Sequence, residues 1–125
     1  MFLNKLIHRN PKFIQRVVEL HQSDQLPANS YVLDLDILQK NAAMMAAEGK
    51  KLNLKVFPMT KQIGRNPLAM NCLAKEGLSS FVAVDMSCAL PIHASGHNIG
   101  HLGHLVQIPK AEVEIAASMK PMYWT

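Results

Sequence analysis

The chain has 125 residues, 49% hydrophobic and 18% charged, with a net charge of +4 when histidine is neutral. That length supports one domain with a real core but not two, and the composition excludes a disordered polymer. The cations are scattered and no aromatic residues interleave with the Lys50-Lys51 pair, so no nucleic-acid partner is expected.

Met1-Phe2-Leu3-Asn4-Lys5 opens an amphipathic segment without the unbroken apolar stretch of a signal peptide. No run approaches the ~18 apolar residues of a spanning helix, so the expected setting is cytoplasmic, away from any membrane. Residues 1–30 are expected to form a helical arm. Within it Asn10-Pro11 supplies a cap and a first helical position, and Phe13, Ile14, Val17, Val18 and Leu20 make one apolar stripe. Residues 31–125 are expected to form the β/α domain itself, an incomplete one. Tyr31-Val32-Leu33-Asp34-Leu35 alternates as a strand should, and Asp36 with Gln39 resembles a capping box that launches a helix to about Leu52.

A strand is then expected over 54–60, and a helix from Asn66-Pro67 to about Gly77. Phe81-Val82-Ala83-Val84 reads as the next strand, with Asp85 capping a helix to about Gly96. A strand over 101–106, a helix from Pro109 to Met119 and the start of a strand at Met122-Tyr123-Trp124 complete the series. Alternating strands and helices imply a parallel sheet, either doubly wound or closed into a barrel. An eight-stranded β/α barrel takes ~250 residues. The expectation is therefore the N-terminal half of a (β/α)8 TIM-type barrel, a truncated fragment of a longer protein.

Within this frame Lys61 carries the chemistry. It closes the run Leu54-Lys55-Val56-Phe57-Pro58-Met59-Thr60 and opens Gln62-Ile63-Gly64-Arg65-Asn66-Pro67. Apolar surroundings would disfavour its ammonium form and free a nucleophilic amine for a Schiff base. A strand-end lysine that reaches out to water is the plainer alternative. Gly64 and Arg65 place a cation in a loop that opens a helix, which suggests an anionic ligand on that rim.

The other candidates are weaker. His93, His97, His101 and His104 crowd one stretch, and His93 with His97 has the spacing of two metal ligands on one helix face. Gly96 interrupts that helix and only Cys88 lies near to complete a set, so no metal is expected. His104 is more useful as a polar contact facing a pocket. Asp34, Asp36 and Asp85 are read as structural or capping carboxylates. Cys72 and Cys88, without a CxxC partner, are read as small core residues of a reduced protein.

Taken together, Tyr31 to Asp36, the helix containing Asn41 and the strand ending at Lys61 resemble the N-terminus of alanine racemases, the fold-type III enzymes that use pyridoxal 5'-phosphate (PLP). Met59-Thr60-Lys61-Gln62-Ile63-Gly64-Arg65-Asn66-Pro67, Val82-Ala83-Val84-Asp85 and Gly103-His104-Leu105-Val106-Gln107-Ile108-Pro109 resemble signatures of its YhfX-type branch. The resemblance implies that Lys61 is the catalytic, cofactor-bound lysine. It further implies that Gly64, Arg65 and His104 flank the cofactor, and that an amino acid or related amine loses its α-proton there. Racemase relatives are often homodimers. Two other outcomes stay open: a non-catalytic remnant that keeps the lysine motif, and a PLP-binding carrier. The chain departs from the family at Pro91, inside an expected helix, where proline costs ~3 kcal/mol or kinks the helix.

Overall fold

A computed structural model describes residues 2–125; Met1, the first residue of the expected amphipathic segment, lies outside them. The chain divides into two compact units, Met1–Asp34 and Leu35–Thr125.

In the first unit Asn10 separates two helices, α1 (Phe2–Arg9) and α2 (Pro11–Gln22). Its side-chain oxygen accepts from the Phe13 N–H at 3.2 Å, and Pro11 takes the first helical position, where no N–H is needed. The Asn10 amide also donates to Asp34 Oδ2 at 2.9 Å. Phe13, Ile14, Val17 and Leu20 are half-buried, whereas Val18 is exposed.

The second unit begins with α3 (Leu35–Lys51). Asp36 therefore sits inside the first turn instead of capping it, and Gln39 donates to Glu76 at 2.6 Å. Helix α4 (Pro67–Lys75) packs against α3 and is capped by Asn66, whose side chain accepts from the Ala69 N–H at 3.1 Å. Strand β1 (Ser80–Ala83) leads to α5 (Met86–Ala94), and β2 (Asn98–Leu102) follows. A 3-10 turn, Lys110–Glu112, precedes the short α6 (Val113–Ser118), and β3 (Tyr123–Trp124) comes last. The strands form one parallel sheet in the order β1-β2-β3, with an irregularity between Phe81 and Val82 in the β1–β2 register.

The expected half of a (β/α)8 barrel is not what this chain forms. Six helices accompany a sheet of only three strands among the described residues. Residues 31–34 and 54–60 have no regular secondary structure. Pro58 explains part of this. It has no N–H to give to a ladder, although its carbonyl accepts from the Val82 N–H at 3.0 Å. The strand expected over 101–106 stops at Leu102, because Gly103 and Leu105 turn the chain at φ of 87° and 70°.

The core lies where α5 packs on β1 and β2, with Phe81, Ile92, Ile99 and Leu102 almost fully buried. Burial of each such side chain contributes ~1.5–3 kcal/mol. Gly100 leaves room for the Phe57 ring: a Cβ there would lie 2.7 Å from Phe57 Cδ1. That ring also meets Tyr123 at a centroid distance of 5.9 Å, so the irregular 54–60 segment is seated on the sheet.

Candidate functional site around Lys61

Lys61 begins a 3-10 turn, Lys61–Ile63, immediately after the buried Thr60. Both ends of the turn are fixed through one carbonyl. Thr60 O accepts from the Ile63 N–H at 3.2 Å and from the Arg65 N–H at 3.0 Å, while Gly64 N donates to Lys61 O at 3.3 Å. Gly64 and Arg65 are both left-handed, at φ of 66° and 53°. Glycine takes this conformation freely, but arginine there costs about 1–2 kcal/mol.

The arginine is held in place by its side chain. Arg65 Nη2 donates to Cys88 Sγ at 2.8 Å, a charge-assisted bond reaching into the first turn of α5. Cys88 is buried, and its own N–H donates to Asp85 Oδ1 at 2.9 Å. Asp85 also accepts from the Ser87 hydroxyl at 2.7 Å. That hydroxyl is the main reason its carboxyl titrates below the ordinary range. The Cys88 N–H and the positive charge of Arg65 add to the effect, and partial burial works against it.

Lys61 itself is exposed, so the expected apolar enclosure of its amine is absent. Among the described residues the amine makes no ion pair or side-chain hydrogen bond. The structure thus joins Lys61, Gly64 and Arg65 into one stapled turn and ties it to the β1–α5 junction. His104 lies in the bend that follows β2. It meets His101 edge-on at 5.6 Å, and His101 Nε2 lies 3.3 Å from the Thr125 hydroxyl. His93 and His97 are separated by the end of α5, and among the described residues no three metal-ligating side chains converge. A cavity of about 590 Å³ opens at the other end of the sheet, beside Ser80 and Met122, lined by Ala46, Leu54, Val56 and Leu78.

No family model matches the chain. It is 34% identical over 113 residues to the uncharacterized protein YhfX of Escherichia coli (strain K12). The match takes in 90% of this chain and 29% of that protein. The chain therefore spans less than a third of the length of this curated relative. No helix among the described residues is long and apolar enough to cross a membrane.

Sequence reasoning missed Cys88 as part of this neighbourhood. Its spacing from Lys61 carries no motif. The available signal was topological, because in a parallel β/α arrangement successive strand-to-helix junctions gather on one edge.

Proposed function

We propose that this chain carries the cofactor-bearing lysine of a PLP-dependent, alanine racemase-like protein, with Lys61 as the attachment point. The observation that carries this reading is the Lys61 turn itself. It presents a primary amine with no competing ion pair among the described residues, reachable from solvent, on backbone fixed by Thr60 and Arg65. A PLP aldehyde needs such an amine, so the residues present fit the group at that point. Gly64 and Arg65 belong to the site as the turn that carries Lys61, and His104 is proposed as a further polar contact. When bound, PLP supplies an electron sink for breaking the C–H bond at an amino acid's α-carbon.

This chain's own part is to hold the amine and to keep it available for proton transfer. Amino-acid or amine turnover is proposed only for a protein of the length of YhfX. The exposure of Lys61 supports a second reading, in which this chain attaches the cofactor without turning over substrate. Exclusion of water strengthens every electrostatic interaction in a site, and an exposed amine lacks that advantage. Titration of the purified chain with PLP, followed by visible absorbance, tests attachment. A saturable band near one equivalent, lost in Lys61→Ala, is expected; an unchanged titration in that variant contradicts the proposal.

A further inference from the structure

We infer that Cys88 is a positioning residue for Lys61, acting through Arg65; this rests on the proposed role of Lys61. The path is short and continuous. Cys88 is buried in the first turn of α5, a helix packed on β1 and β2. Its sulfur accepts from Arg65 Nη2 at 2.8 Å. Arg65 holds a left-handed backbone, which is disfavoured for a non-glycine residue, and its N–H closes the turn on Thr60 O. Lys61 lies between the two fixed points, the buried Thr60 and the tethered Arg65.

Removal of the sulfur leaves the guanidinium with one donor unanswered, and Arg65 Nε is already buried without a partner. The side chain then reorients, the left-handed residue relaxes, and the lysine loses its fixed direction. Arg65 is accordingly more than a cation on a ligand rim. Its committed Nη2 makes it the strut between the lysine turn and the helix, and Cys88 is the seat of that strut. Cys88 also packs in the core, so the variant that keeps an acceptor is needed to separate the bond to Arg65 from packing.

The test compares the wild-type chain with Cys88→Ala and Cys88→Ser, each reduced with cyanoborohydride in the presence of PLP or of pyridoxal, which lacks the phosphate. Peptide mapping reads label on Lys61 relative to Lys50 and Lys55. We expect Cys88→Ala to lower that ratio about tenfold with both aldehydes, within the range that a small misplacement of a reacting group costs. Cys88→Ser, which keeps an acceptor, restores much of it. A selective wild type with an unaltered Cys88→Ala overturns this inference alone. A wild type without selectivity removes the reading of Lys61 as well. Should Cys88→Ala lose its cooperative unfolding transition, Arg65→Gln with pyridoxal takes its place. A fall in the ratio supports the strut and an unchanged ratio overturns it, because no phosphate contact is at stake.

Discussion

Asp85 shows how much a single side chain carries at the Lys61 edge of the sheet. It caps α5, holds the Ser87 hydroxyl and lies within the influence of the Arg65 charge. All three favour its ionised form, so its carboxyl is more acidic in the folded chain than in the unfolded one. A depressed carboxylate contributes stability that is fully present above the unfolded value, about pH 4, and is lost as pH falls through the folded value. Asp85→Asn keeps a capping oxygen but removes the titration. Thermal unfolding between pH 6 and pH 3 should therefore fall more steeply for the wild type than for Asp85→Asn. Parallel curves would remove Asp85 as a source of acid sensitivity. The capping role was readable from the sequence, because an aspartate between an apolar strand and a helix has few other uses. The Arg65–Cys88 bond was not. Nothing in local sequence says that residues 23 apart will meet, and a cysteine on a buried helix face looks like any small apolar residue.

Among the elements, the helices were legible and two of the five expected strands were not. Asn10, Asn66 and Asp85 all cap the helices expected of them, because a cap is a local contract between one side chain and an N–H three residues on. Asp36 misled, since α3 starts at Leu35 and Asp36 lies within its first turn instead of at its cap. Strands depend on distant partners. Residues 31–34 alternate like a strand yet take no regular structure, and 54–60 contains Pro58, which can accept but not donate. What seats the 54–60 segment is the Phe57 ring over Gly100 instead of a hydrogen-bonded ladder. A methyl group at Gly100 would press on that ring, and overpacking of this kind costs ~1–3 kcal/mol. Gly100→Ala should lower the urea midpoint by a corresponding amount. Phe57→Leu in the same chain should recover part of the loss. Purely additive losses in the double variant would show that the two residues do not press on each other.

For the whole molecule, the sequence supported a parallel β/α architecture but overstated its extent. Three strands and six helices do not make half a barrel, and the lysine expected in a dry setting stands in the open. The turn that carries it is nonetheless rigidly specified, by a buried threonine on one side and a tethered arginine on the other. The cavity near Ser80 lies away from this edge and has no part in the proposal. Exposed lysines such as Lys50 and Lys55 provide an internal standard, because they share solvent access with Lys61 but lie outside the turn between Thr60 and Arg65. The decisive measurement is borohydride reduction of the intact chain with one equivalent of PLP, followed by location of the fixed label. The account predicts label concentrated on Lys61. Label spread evenly over the exposed lysines would contradict it.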